Sequence, residues 1–270
     1  MIRKLIHLAD LHVRTYKMHE ECIEIFDKFL AEAKQIASEF KYGEVRIVIV
    51  GDLVHQKINV SNEQMILLSD FLHKCSEIAP VIIVAGNHDL LENNKERMDS
   101  ITPIIKMAKN PNIHYYKDRA CFLDDNIVWC NYSIFEGNQP PNIKKAREIH
   151  GDDKRYVGLF HAPIAGCTTD SGYELTHGAS LDHFVGCQIV LMGDIHKRQF
   201  FEYNGIKLAF PSSLIQQGYG ESITNHGFLV WDVETLDYTE HNIENDYGFY
   251  QFKINSLDDL ELGKDILVND

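Results

Sequence analysis

The sequence has no long hydrophobic run. No stretch approaches the roughly 20 apolar residues that a bilayer crossing needs, so no membrane association is expected. The opening MIRKLIHLADLH sets positive charge before a short apolar run. That run stops at Asp10 without a small-residue cleavage site, which argues against a signal peptide. A basic excess is also missing. Lys and Arg number 26 against 40 Asp and Glu, for a net charge of −14, whereas general nucleic-acid binders are usually basic. A carboxylate-lined metal site would account for part of this, because bound cations cancel such charge locally. Cys22, Cys75, Cys121, Cys130, Cys167 and Cys187 form no C-x-x-C pair. This excludes a zinc knuckle and reads as the reduced pattern of a cytosolic protein, its thiols without chemistry. Repeats and low-complexity tracts are absent. At 44% hydrophobic and 24% charged, the chain has an ordinary globular composition.

What is present is one pattern used five times: an apolar run that ends abruptly in Asp, Asn or His. RKLIHLA leads to Asp10 and His12, VRIVIV to Gly51-Asp52, and VIIVA to Gly86-Asn87-His88-Asp89. RYVGLF leads to His161, and CQIVLM to Gly193-Asp194-Ile195-His196. Near-continuous Val/Ile/Leu runs are the mark of strands buried on both faces. Helical spacing separates the first of them. From His19 to Phe40 it places Ile23, Phe26, Leu30, Ala33 and Ile36 on one stripe. From Ser61, an N-cap, to Cys75 it does the same with Met65, Leu68, Phe71 and Leu72. Strand–helix–strand alternation implies a largely parallel sheet, whose ligands collect beyond the carboxyl ends of the strands. Shorter strands follow from Asn112: IHYY, ACFL, IVWCNYSI, IKLAFPSS and HGFLVWDV. After Asp237 the chain turns acidic and ends on another strand-like run, YGFYQFKI.

These residue types suit phosphoester chemistry. A phosphodiester repels nucleophiles and has a poor leaving group; two cations roughly 3.5–4 Å apart clamp its oxygens and activate water. Asp10-x-His12 and Asp194-x-His196 each put two side chains on one side of an extended segment. Asp52 is the natural bridge, Asn87 offers a neutral oxygen, and His161 offers an imidazole. His88, beside a ligand, suits a general acid. Asp89 is expected either to orient it or to cap the following segment. His55 is placed to touch substrate or to cap a turn.

With these motifs the sequence resembles the calcineurin-like metallophosphoesterases. Within them it is similar to the double-strand-break repair nucleases of the SbcD type, through HLADLHV, VIVGDLVH, IIVAGNHDL, LFHAPI, LMGDIHKRQ, AFPSSLIQQGYGE and HGFLVWDVE. The resemblance implies an α/β (mixed α+β) fold of four layers, two β-sheets sandwiched between helices. It implies one metal on Asp10, His12, Asp52 and His196 and a second on Asp52, Asn87, His161 and residue 194, with His88 as catalytic acid. Residue 194 departs from the family pattern, which commonly has histidine there, so a retuned second site is expected. The implied ions are two divalent cations, manganese first and magnesium as the alternative. The implied activity is DNA exonuclease and single-strand endonuclease hydrolysis in repair or recombination, with an SMC-like coiled-coil ATPase as partner. A homodimer through helices 61–75 and 94–108 is implied as well. A nuclease domain would occupy 1–238, with the beginning of a truncated capping domain at 239–270. The location would be cytoplasmic, nucleoid-associated or in the host cytoplasm of a virus. The alternatives are a phosphoesterase of nucleotides or small diesters, and a weakly active scaffold subunit.

Overall fold

The computed structural model describes residues 1–250 and Ser256. Its strands are β1 (Lys4–Leu8), β2 (Val45–Val50), β3 (Val81–Val84), β4 (Ile113–Tyr115), β5 (Cys121–Asp124), β6 (Ile127–Asn131), β7 (Arg155–His161), β8 (Ile189–Gly193), β9 (Gln199–Tyr203), β10 (Ile206–Phe210), β11 (Gly227–Asp232) and β12 (Tyr238–Asn242). The α-helices are α1 (His19–Ala37), α2 (Asn62–Ile78), α3 (Ile101–Ala108) and α4 (Ile143–His150). One sheet runs β12-β11-β1-β2-β3-β4 and the other β5-β6-β7-β8-β10-β9. Each has a four-stranded parallel centre, β1 to β4 in the first and β6, β7, β8 and β10 in the second. Antiparallel strands extend the first sheet on one side, its other edge being β4, and the second sheet on both.

Period-two alternation sorts the apolar strand residues into three cores. Ile6, Leu8, Ile47, Ile49 and Ile83 face the helices α1 to α3. Their neighbours Leu5, Val48, Val50 and Ile82 point the other way and meet Trp129, Val157, Leu159 and Leu191 of the second sheet. Val128, Tyr156, Phe160 and Val190 then face outward, onto α4. Three cores make four layers, the arrangement expected above. The strands can read as continuous hydrophobic runs because each parallel strand is covered on both faces.

The helices differ in detail from their expected spans. The buried stripe of α1 is Cys22, Ile25, Phe26, Phe29 and Ala33, while Ile23 is 50% exposed. Apolar residues occupy more than one face of this helix, and stacking of Phe26 on Phe71, at 4.0 Å between centroids, sets the phase. Ser61 closes a capping box with Gln64, and α2 runs to Ile78. The expected 94–108 helix is helical only from Ile101; before it, residues 94–100 form turns, and Ser100 is tied back to the Asp89 carbonyl. Tyr238–Asn242 pairs with β11, so the first sheet continues past residue 238. Tyr247 to Tyr250 are irregular, and the rest of YGFYQFKI, with most of the expected 239–270 segment, lies outside the described residues. Among the described residues no helix is long and apolar enough to cross a membrane.

Candidate metal centre

The carboxyl ends of β1, β2 and β3 in one sheet and of β7 and β8 in the other converge on one spot. The chain turns sharply there. Asp10 (φ 56°), His12 (45°), Asp52 (54°) and Asp194 (94°) all have left-handed backbone, a conformation that costs a non-glycine residue roughly 1–3 kcal/mol. The first two loops are stitched together to hold it: Asp10 N–H donates to the Gly51 carbonyl (3.1 Å), His12 N–H to that of Asp52 (2.9 Å), and Val13 N–H to that of Leu53 (3.0 Å). Glycines make room at the centre. A methyl group on Gly51 or Gly193 would collide with the His161 ring, and one on Gly86 with the Asp52 carboxylate.

All seven sequence-predicted ligands are brought together. His12 Nε2 lies 3.0 Å from His196 Nε2 and 3.4 Å from Asp52 Oδ2. His161 Nε2 lies 3.3 Å from the same Asp52 oxygen, 3.8 Å from Asp194 Oδ1 and 4.0 Å from Asp10 Oδ1. Asn87 Nδ2 donates to Asp194 Oδ1 (3.0 Å), while Asp194 N–H donates to the Asp10 carboxylate (3.0 Å). Asp10, His12 and His196 thus form one donor group, and Asp10, Asp52 and His161 another. Two buried donor atoms, His161 Nε2 and Asn87 Oδ1, have no hydrogen-bond partner among the described residues. Buried polar atoms are rarely left so without a reason. Mixed oxygen and imidazole donors in two groups that share Asp10 fit a pair of divalent cations.

The remaining predicted residues divide by role. Asp89 does not reach the His88 ring. Its fully buried carboxylate accepts four backbone N–H groups, from Asp52 (2.8 Å), Leu53 (3.0 Å), Val54 (3.2 Å) and Gly86 (2.9 Å). It pins the β2 loop to the β3 loop. His88 is oriented instead by His55, whose carbonyl accepts from Nδ1 at 2.6 Å, and His88 N–H donates to Asp52 Oδ1 at 2.8 Å. The rings of His55 and His88 stack at 5.5 Å. Two supporting groups escaped the sequence reading. Glu221 holds His196 Nδ1 at 2.7 Å, and the Val50 carbonyl holds His161 Nδ1 at 2.8 Å. Outer partners of this kind fix the tautomer and aim of a ligand histidine. Glu221 lies 25 residues from His196 on an irregular loop, so no spacing rule could find it.

Crowding also sets the protonation of the donors. Burial pushes Asp10 up to about 7, with Asp52 and Asp194 adding to the effect. Burial works against charge on His196, but its bond to Glu221 prevails and raises it to about 9. Burial likewise opposes charge on His161, yet Asp52 beside it holds the ring well above the usual histidine range. His12 is held well below that range by burial, and burial brings His55 down to about 4.

Comparison with known proteins fits this geometry. A family model described as calcineurin-like phosphoesterase matches residues 3–198. "Uncharacterized protein R555" of Acanthamoeba polyphaga mimivirus is 35% identical over 259 residues, covering 94% of this chain and 19% of its own length. This chain therefore spans about a fifth of that relative. "Putative phosphoesterase 244L" of Invertebrate iridescent virus 6 is 25% identical over 226 residues, 82% of this chain and 73% of its own. Among solved structures, the phosphopantetheinyl hydrolase PptH of Mycobacterium tuberculosis aligns over 77% of this chain and 88% of its own, at 12% identity and a TM-score of 0.42.

Two outcomes are expected. Asp89→Asn presents an amide NH₂ to two backbone N–H donors and should cost about 3 kcal/mol, a fall in Tm of roughly 6–12 °C for a domain of this size; calorimetry showing an unchanged Tm would remove Asp89 from this role. Second, the donors must shed protons to ligate. His196 keeps its proton up to about 9 and Asp10 up to about 7. Affinity for manganese should therefore rise with pH across this window and fall toward acid. Titration calorimetry in buffers of differing ionisation enthalpy reads the released protons directly, and pH-independent binding contradicts the assignment.

Proposed function

The chain belongs to the calcineurin-like phosphoesterases, and on that premise we propose that it hydrolyses the phosphodiester bonds of DNA with two divalent cations, manganese first and magnesium as the alternative. The observation that carries this reading is the seven-donor cluster around Asp52 with His88 at its rim. Asp10, His12, Asp52 and His196 would hold one cation, and Asp52, Asn87, His161 and Asp194 the other. When bound, such a pair neutralises the phosphoryl oxygens and lowers the pKa of an attacking water.

The chain's own groups supply the rest. A carbonyl only accepts, so the bond to His55 requires hydrogen on His88 Nδ1 and leaves Nε2 free to serve a substrate. In its protonated form the ring gives that Nε2 proton to the departing 3′ oxygen. Support for a polymeric substrate comes from the shape of the surface. A cavity of ≈ 500 Å³ lined by Thr169, Tyr173, Asp194 and Glu221 adjoins one of ≈ 470 Å³ lined by Lys197, Ser222, Thr224 and Asn225, with His196 in both walls. The two cavities share His196, Lys197 and Asp170, and together they offer more surface than a small ester needs. Tyr173, 62% exposed, offers a base its flat face, and Lys197 offers a phosphate its charge. An SMC-like coiled-coil ATPase as partner and a role in DNA end processing belong to the same reading.

The test is incubation of the chain with linear duplex and single-stranded DNA, with manganese and magnesium in parallel. Degradation is expected. Intact DNA beside rapid hydrolysis of bis-p-nitrophenyl phosphate would make this a small-diester phosphoesterase instead. His88→Ser should keep its calorimetric metal binding and lose about 100-fold or more in turnover of DNA, the scale of general-acid catalysis. Its loss on the nitrophenyl ester should be smaller, because nitrophenolate departs without a proton. Equal loss on both substrates discards the acid role.

We further propose a homodimer through α2 and α3. Ile66 on α2 and Met107 on α3 are 54% and 49% exposed, and Met98, in the segment before α3, is 58% exposed, which suits an apolar contact between copies. Light scattering should give twice the chain mass, and Ile66→Glu should halve it. A monomeric unmodified chain discards the proposal.

A further inference from the structure

Outside the metal centre, two cysteine side chains meet at the edge of the second sheet. Cys121 on β5 and Cys130 on β6 are nine residues apart in sequence and directly opposite in the strand register, with their sulfurs 3.8 Å apart. The adjacent pair is hydrogen-bonded, since Asn131 N–H donates to the Ala120 carbonyl at 2.9 Å. Antiparallel pairs alternate, so Cys121 and Cys130 occupy a non-hydrogen-bonded position, where Cα atoms stand about 4.5 Å apart. That separation falls inside the range a disulfide accepts, about 4.4–6.8 Å. Closing the sulfurs to bonding distance therefore needs side-chain rotation and no backbone movement.

The two thiols also differ in a useful way. Cys121 is partly exposed on the edge strand, whereas Cys130 is fully buried. The neighbouring Cys130 thiol favours the Cys121 thiolate and lowers Cys121 below the usual thiol range. Bonds to Cys121 and Cys187 hold Cys130 far above it. Nucleophilic thiols are accessible and low in pKa, and resolving thiols sit beside them. Cys187, next in line, also contacts the Tyr132 hydroxyl at 3.7 Å.

We propose that Cys121 and Cys130 form a reversible disulfide by exchange with a small-molecule disulfide of the glutathione type. Cys121 loses its proton, and its thiolate attacks one sulfur of the small molecule. A mixed disulfide forms, and the first small thiolate leaves and takes up that proton. Cys130, deprotonated in turn, attacks the Cys121 sulfur and expels the second small thiol. Two electrons pass from the protein thiols to the reagent, and two small thiols are produced. The product bond fastens β5, an unpaired sheet edge, onto β6. This proposal is independent of the hydrolytic reading above.

The full-length chain is incubated with oxidised glutathione without denaturant, quenched with N-ethylmaleimide and digested with trypsin. Cleavage after Arg119 and Lys144 leaves both cysteines on one peptide, 120–144. The expected peptide is lighter by two hydrogens, carries no maleimide, and regains both labels after dithiothreitol. Cys121→Ser should abolish it. Cys130→Ser should instead trap a glutathione adduct on Cys121. Circular dichroism of both variants checks their folding, and Cys187→Ser should leave the product unchanged. Two maleimides on the unmodified chain, a persistent glutathione adduct there, or loss of the product in Cys187→Ser would each overturn the assignment.

Discussion

One carboxylate carries more of this architecture than any other group. Asp89 lies in no solvent and touches no substrate-facing ring, yet it gathers four backbone N–H groups from two loops. Those loops present Asp52 and Asn87, and the first of them also secures the backbone of residues 10 to 13. The left-handed turns at Asp10, His12 and Asp52 are individually unfavourable. They persist because hydrogen bonds to rigid strand ends over-determine them. A carboxyl group surrounded by N–H donors serves here as a pin between adjacent parallel strands.

The residues that converge at the candidate centre were legible in the sequence because their physical signal is local. A buried parallel strand needs an uninterrupted apolar run, so the first polar residues after it mark the strand end, where such sheets place their sites. Asp10, Asp52, Asn87, His161 and His196 could all be read in that way. The roles of the groups behind them could not. Asp89 stands next to His88 in sequence, which suggested that it steers that ring, but its carboxylate turns inward and the His55 carbonyl does the steering. Glu221 reaches His196 from a loop with no periodicity. Nor could the phase of α1 be read, because Ile23 and Cys22 are equally apolar and only contact with Phe71 separates them. The cysteines looked scattered because a cross-strand pair has no fixed sequence spacing; it depends on hairpin length.

Charge is distributed with similar economy. The chain carries a net −14, and Asp10, Asp52 and Asp194 crowd a single buried spot. Burial, with the neighbouring carboxylates adding to it, keeps a proton on Asp10, while Asp52 and Glu221 favour the protonated rings of His161 and His196. Divalent cations relieve the repulsion among the carboxylates more completely. The acidity that argues against nucleic-acid affinity in the bulk count is partly the signature of the centre that would act on it.

The inter-sheet core described above has one more consequence. Asp10, His12, Asp52 and Asn87 come from the first sheet, and His161, Asp194 and His196 from the second. Neither sheet alone holds a complete ligand set. Whatever binds the assembled set and not the separated sheets stabilises their docking by the same free energy. A cation pair on these residues would thus act as a coincidence detector for folding, binding only after the two sheets have docked.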